Sequence, residues 1–193
     1  ASEVSAEVIR SWQLLGPQLD LADKTGSEVA SFVAHASSGR YDIRVKPGLL
    51  SKLGKLLSKM DLANVAYIIS DDIVFPMYGR EVQKALEEVG IKAHCFVVPN
   101  GEKSKTLEMA SSIYEWLIGL KAERNHVVVA VGGGVVGDLA GFVASTFVRG
   151  MNFIQVPTSM AAMVDASIGG KVAVNVPEGK NMIGAFFQPR LVL

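Results

Sequence analysis

A chain of 193 residues, 49% of them apolar, is long enough to bury a sizeable core and too hydrophobic to be disordered. Its 19 basic residues balance 19 acidic ones, which leaves no global field to recruit nucleic acid or an anionic membrane. Cys95 is the single cysteine, so no internal disulfide forms and a reducing, cytoplasmic setting is expected; no secretory signal is visible, and glycines and Asp138 interrupt the longest apolar stretch, residues 126–148.

Residues 1–40 are mixed and polar and read as an N-terminal extension or linker, with Ser37, Ser38, Gly39 and Arg40 as its end and Val29, Phe32 and Val33 on one face of a short helix. From Tyr41 the pattern is regular. A strand over 41–46 turns at Pro47 and Gly48 into a helix over 49–59, and a second strand over 66–70 ends at Asp71 and Asp72. Pro76 opens a helix that buries Val82, Ala85, Leu86 and Val89 and closes at Gly90. A third strand over 94–99 leads to the loop 100–105, and the next helix turns Met109, Ile113, Trp116, Leu117 and Leu120 to the core. Strands over 127–131 and 152–156 flank a helix over 139–147, and residues 190–193 read as an unfinished strand. Strands alternating with helices of about 12 residues imply an α/β fold with a largely parallel, Rossmann-like sheet over residues 41–193. Ligands of such sheets sit beyond the carboxyl ends of the strands, where Asp71, Glu102, Lys105, Gly133, Asp138, Thr158 and Ser159 all fall and are expected to converge.

The sharpest local signal is the apolar strand over 127–131 running into Gly132, Gly133, Gly134, Val135, Val136, Gly137 and Asp138. Glycines there permit positive φ or close approach, and a helix start behind them offers unsatisfied N–H groups and a dipole suited to an anion such as a dinucleotide pyrophosphate. The same glycines also serve a plain strand-to-helix connection. Two features depart from an ordinary dinucleotide fold: the acid expected about 20 residues later is missing, and Asp138 sits in the turn itself.

A second constellation runs from Asp165 through Gly169, Gly170 and Lys171 to Asn175, Gly179, Lys180, Asn181 and Gly184. A P-loop is excluded, because glycine is missing at Asp165 and Val174 and a hydroxyl at Val172 and Asn181. Lysines, amides and free N–H groups instead suit a phosphate monoester or a polyhydroxylated acid, with Arg149 as a possible clamp, although solvated loop lysines fit the spacing equally. His94 and Cys95 alternate across a strand and cannot ligate one metal together, and His35, in irregular chain, and His126 read as structural or surface residues.

Taken together, Asn100-Gly-Glu-x-x-Lys105, the turn from Gly132 to Asp138, Arg149-Gly, Val156-Pro-Thr-Ser, Val164-Asp-Ala-Ser-Ile-Gly-Gly-Lys171 and Gly179-Lys-Asn-Met-Ile-Gly-Ala-Phe resemble the 3-dehydroquinate synthase family over residues 41–193. The resemblance implies the NAD-binding half of an enzyme of the shikimate route that converts 3-deoxy-arabino-heptulosonate 7-phosphate to 3-dehydroquinate and phosphate. It implies NAD held by Asp71, Glu102, Lys105, Gly133, Gly134, Val135, Val136, Gly137, Asp138, Thr158 and Ser159, with Lys171 and Lys180 also near it. Asp165, Lys171, Lys180 and Asn181 would meet the substrate, and Arg149 would reach a neighbouring subunit's site in a homodimer. A divalent metal, zinc or cobalt, would be held by a Glu and two His of a helical domain beyond Leu193, so the fragment alone is expected to be inactive. Ser159, Ala166 and Val172 depart from the family's usual Thr, Ser and Thr, which keeps other sugar-phosphate cyclases in play. A polyol dehydrogenase with NAD and metal, or a non-catalytic nucleotide-binding module, are the competing readings.

Overall fold

The structure, a computed structural model, describes residues 18–21, 30–36 and 39–193. Its main sheet is eight-stranded, in the order β1 (Gln18–Leu21), β2 (Ala30–Ala36), β3 (Gly39–Val45), β10 (Leu191–Val192), β7 (Asn152–Pro157), β6 (Val127–Gly132), β4 (Val65–Asp71), β5 (Lys92–Val98). From β3 to β5 every pairing is parallel; β1 and β2 add antiparallel strands at one edge. A short antiparallel hairpin of β8 (Lys171–Val176) and β9 (Gly179–Phe186) stands apart.

Both faces of the parallel region are covered, which is why β6 reads as an unbroken apolar run and is buried along its whole length. On one face Ile68, Val129 and Ile154 meet α1 (Leu53–Lys59) and α2 (Arg80–Glu87) through Leu53, Leu57, Val82 and Leu86. On the other, Ile69, Ala130 and Phe153 meet α3 (Leu107–Gly119) and α4 (Gly134–Thr146) through Ile113, Leu117, Leu139 and Val143. The period of two along each strand therefore sorts neighbouring residues into two cores. The hairpin closes over α4: Val172 and Val174 are buried, and a Cβ on Gly141 would overlap Val172.

β4 connects outward to β5, whereas β6 returns to the other side of β4 and connects onward to β7. The chain changes direction between β4 and β6, and at such a switch the two following loops diverge and leave a crevice. Asp71 ends one of these strands and Gly132 the other.

The helix expected through Val29, Phe32 and Val33 is not formed: Phe32 and Val33 lie in β2, opposite Ile43 and Asp42, because pairing along β3 overrides the local period. His35 likewise stands in a regular strand, opposite Arg40. Gly39 and Arg40 begin β3, while Val29, Ser37 and Ser38 lie outside the described residues. Residues 190–193 do form a strand, β10, inserted between β3 and β7. No helix is long and apolar enough to cross a membrane among the described residues.

The packing of α1 on α2 rests on Gly54, where a Cβ would overlap the Ala85 carbonyl oxygen and stand 2.9 Å from Val89 Cγ2. Gly119, at the end of α3, faces open space. Gly54→Ala is expected to lower unfolding free energy by about 1–3 kcal/mol in urea titration, as overpacking does. Gly119→Ala is expected to be neutral or stabilising by up to about 1 kcal/mol; equal effects from both would contradict the packing described.

Candidate active site: two adjoining clefts

α4 begins at Gly134, five residues earlier than the apolar pattern suggests, so Gly137 and Asp138 belong to the helix rather than to the turn before it. None of Gly132, Gly133, Gly134 and Gly137 has a positive φ. Their service is close approach. A Cβ on Gly132 would meet Val136 Cβ at 2.6 Å, and one on Gly137 would meet Gln155 Oε1 at 2.8 Å, so glycine lets the helix start directly over the strand end. Gly133 is extended (φ −74°, ψ −172°) and leads into the helix with no side chain capping it. The first N–H groups of α4 are therefore left pointing outward with the positive end of the helix dipole.

They line a cleft of about 250 Å³ together with Asp71, Val98, Asn100, Gly101, Thr158 and Ser159. Asp71, 4% exposed, ends β4, and its Oδ1 accepts hydrogen bonds from the N–H groups of Ile73 (3.0 Å) and Val74 (2.8 Å). Asp72 Oδ1 accepts from Asn100 N–H (2.9 Å) and ties the loop after β5 to the end of β4. The opposite wall is fixed by Thr158 N–H, which donates to Gly132 O (3.0 Å).

The other side of α4's first turns faces a second cleft, of about 480 Å³, lined by Asp138, Asp165, Lys171, Val172, Asn181 and Phe186 among others. Its floor is a buried ion pair. Lys105 Nζ donates to Asp138 Oδ2 and to Asn181 Oδ1, each at 2.5 Å, with the lysine side chain 6% exposed. Burial pushes the Asp138 carboxyl above its usual range even though the Lys105 ammonium pulls it down. Glu102 is held lower than usual, chiefly by the hydrogen bond from Asn175 Nδ2 (2.8 Å), with the Lys105 and Lys180 ammonium groups acting in the same direction. At the rim Lys171 lies 3.6 Å from Asp165 and Lys180 3.8 Å from Glu102, all well exposed. Such solvated pairs are weak, so both ammonium groups are available to an anion.

The expected single crevice is thus divided by α4: Asp71, Gly133, Gly134, Val135, Val136, Thr158 and Ser159 face the first cleft, while Asp138, Asp165, Lys171 and Asn181 face the second. Lys105 and Glu102 are hydrogen-bonded into the second group. Arg149 joins neither. It follows the C-terminal end of α4, a 13-residue helix about 20 Å long whose other end borders both clefts. There it lines a separate groove with Arg124, Phe186 and Arg190, and Val148, Arg149 and Gly150 are consecutively left-handed (φ 45°, 62° and 111°). Val172 is almost fully buried against α4 at Gly141 and also borders the second cleft beside Lys171. His126 is structural, with Nδ1 within hydrogen-bonding distance of Tyr67 OH (3.1 Å) and Glu123 N–H (3.1 Å). His94 stacks on Tyr67 while the Cys95 thiol bonds Gln83 on the opposite face, as alternation requires. Sequence reasoning assigned no role to Asp72, and it grouped Asn175 with the anion-binding amides rather than with the residues that hold Glu102 and the hairpin together. For Asn175 the signal was present: Lys171, Ala173 and Asn175 alternate with valines, which places the amide on the uncovered face of β8.

The family model described as 3-dehydroquinate synthase N-terminal matches residues 95–193. The 3-dehydroquinate synthase of Crocosphaera subtropica is 49% identical over 153 residues, covering 79% of this chain and 42% of that protein. A crystal structure of 2-deoxy-scyllo-inosose synthase with carbaglucose-6-phosphate, NAD+ and Co2+ superposes with TM-score 0.77 at 29% identity, covering 84% of this chain and 44% of that one. 2-epi-5-epi-valiolone synthase from Streptomyces hygroscopicus subsp. jinggangensis, with NAD+ and Zn2+ bound, does so with TM-score 0.69 at 30% identity, covering 79% and 42%. The chain spans less than half the length of these relatives, and within that span it belongs to the 3-dehydroquinate synthase family, as its N-terminal part.

Proposed function

We propose that this chain is the nucleotide-binding part of a 3-dehydroquinate synthase. With the remaining length of its relatives it converts 3-deoxy-arabino-heptulosonate 7-phosphate to 3-dehydroquinate and phosphate. The observation that carries this reading is the pair of clefts separated by α4: one walled by bare main chain at a helix start, the other rimmed by Lys171 and Lys180.

The first cleft suits the diphosphate of NAD. A Cβ on Gly133 would meet nothing nearer than Ser159 Oγ at 3.5 Å, so the main chain there is open to a ligand, and the free N–H groups are donors without a competing side chain. Gly133, Gly134, Val135 and Val136 would hold the diphosphate, with Asp71, Thr158 and Ser159 around its sugars. Bound NAD supplies a hydride acceptor regenerated within each turnover. In the second cleft Lys171, Lys180 and Asn181 grip the carboxylate, hydroxyl and phosphate groups of the substrate, and Asp165 adds an acceptor beside them. Lys105 and Asp138 neutralise each other beneath, so the net positive charge is kept for the rim. Holding one flexible substrate through several bond changes is an orientation task, and a rigid floor serves it.

The relatives' Zn2+ and Co2+ support a divalent metal in the complete enzyme. No group of three His, Cys, Asp or Glu suited to a metal occurs among the described residues. Exposed Ile73, Met77, Met160, Met163 and Val164, all beyond strand carboxyl ends, support a covering domain there. The placement of Arg149 in a groove of its own, outside the lining of both clefts, supports a homodimer in which it serves the neighbouring subunit. A polyol dehydrogenase is disfavoured, because a neutral substrate leaves the rim lysines without a task.

Gly133→Val is expected to abolish NAD binding in calorimetry while the circular dichroism spectrum and thermal midpoint stay near those of the parent, since φ and space at that position tolerate a side chain; unchanged affinity would remove the diphosphate from this turn. Lys105→Met strands the Asp138 carboxyl and raises it further. The folded chain then binds a proton more tightly than the unfolded chain, so stability falls as pH rises above the usual carboxylate range. The variant is expected to lose at least about 2 kcal/mol at pH 7 and to regain part of it toward pH 5, measured by urea unfolding. A loss independent of pH would show that Asp138 is not the group left unpaired. In the complete enzyme, phosphate release without net NADH is expected, and accumulating NADH would indicate a dehydrogenase instead.

A further inference from the structure

The hairpin is regular up to Val174, which pairs with Ile183, and resumes where Val176 pairs with Gly179. Between these pairs β8 has Asn175 alone, whereas β9 has Lys180, Asn181 and Met182. The surplus bulges out. Asn181 takes a left-handed conformation (φ 58°) within it, and a bulge of this kind leaves ladder groups unpaired while turning its side chains away from the sheet. Two of these three residues, Lys180 and Asn181, belong to the second cleft's charged network.

Asn175 stands opposite. Its Oδ1 accepts the hydrogen bond of Asn181 N–H (2.9 Å), a donor that the bulge has removed from the ladder. Its Nδ2 donates to Glu102 Oε1 (2.8 Å), and its own N–H donates to Lys105 O (2.8 Å), where β8 bridges to Thr106. One amide thus spans the loop after β5 and the bulge of β9 and satisfies an acceptor on one and a donor on the other. An aspartate lacks the donor and an alanine lacks both groups, so asparagine is the small side chain with the right pair.

We infer that Asn175 is a positioning residue, not a ligand-binding one: it sets the bulge that presents Lys180 and Asn181, and it holds Glu102, which directly follows Asn100 and Gly101 of the first cleft's wall, at the edge of the nucleotide proposed there. The inference rests on the proposed NAD-binding reading. This hydrogen bond favours the ionised form of Glu102 and fixes the direction of its carboxylate. The fold itself does not depend on the amide, since β8 is anchored by Val172 and Val174 against α4.

The test combines calorimetry of NAD binding with hydrogen exchange at the Asn181 amide in the full chain. Parent protein that fails to bind NAD would overturn the proposed function, and exchange would then decide the role of Asn175 alone. Asn175→Ala is expected to speed exchange of the Asn181 amide and to weaken NAD binding by about tenfold, the equivalent of one net hydrogen bond to a charged group, with little change in thermal midpoint. Asn175→Asp places a second carboxylate beside Glu102, and its deficit relative to the parent is expected at pH 8 and to close toward pH 5, where the new carboxyl regains a proton to donate. Unchanged exchange at Asn181 in the alanine variant, unchanged affinity, or a deficit in the aspartate variant that does not vary with pH would each overturn the positioning role.

Discussion

The site depends on one buried ammonium group. Lys105 leaves the loop after β5, reaches under the hairpin and meets Asp138 on α4 and Asn181 on β9. Those elements are far apart in sequence and share no sheet, so this contact holds them in one geometry. An ammonium so poorly exposed costs several kcal/mol unless its hydrogens are satisfied, which makes the arrangement all-or-none: each acceptor is required by the others. The carboxyl of Asp138 shows the opposing forces plainly, pushed up by burial and pulled down by its partner. The pair is poor at binding an external anion, since its charge is spent internally. The solvated lysines at the rim have flexible stems and weak pairings instead, which leaves their ammonium groups available to an anion.

The two clefts follow from topology. Because β4 and β6 send their connections in opposite directions, the loops behind Asp71 and Gly132 part, and α4 is steered into the gap with its N-terminus forward. Glycine at 132 and 137 brings that helix down onto β6 and β7, and glycine at 141 lets the hairpin down onto the helix in turn. Small residues on three successive levels place a polar hairpin within reach of a helix that would otherwise be shielded by its own side chains. The same stretch packs the helix and bares main chain to the first cleft, which is why the segment is both apolar and glycine-rich.

Much of this was legible in the sequence. The parallel sheet could be read because β4 and β6 are short, apolar and followed by helical periods, and the carboxyl-end rule then located Asp71, Gly133 and Thr158 without coordinates. The edge strands were missed because β2 carries no strong period of its own and is made by pairing with β3. The start of α4 was misplaced because glycine hides a helix from any argument based on apolar spacing. The division into two clefts was not readable at all: it depends on which side of α4 the hairpin lands, and that is decided by Gly141 against Val172, a contact between residues with no local signature.

Arg149 shows how far a residue can be recognisable and still uninterpretable from one chain. Three successive left-handed residues, one of them β-branched, are costly and persist only where surrounding structure over-determines them. The strain accompanies its place in a groove with Arg124 and Arg190 at the C-terminal end of α4, a groove that meets the second cleft at Phe186. A residue held so deliberately is not a random surface arginine, yet its groove shares no lining residue with the first cleft. In the homodimer proposed above, a second copy docked at this end would receive a guanidinium already fixed in direction. The cost of the two non-glycine residues of that stretch is met by the rest of the fold, and the proposed subunit contact is where the direction it imposes on Arg149 would be used.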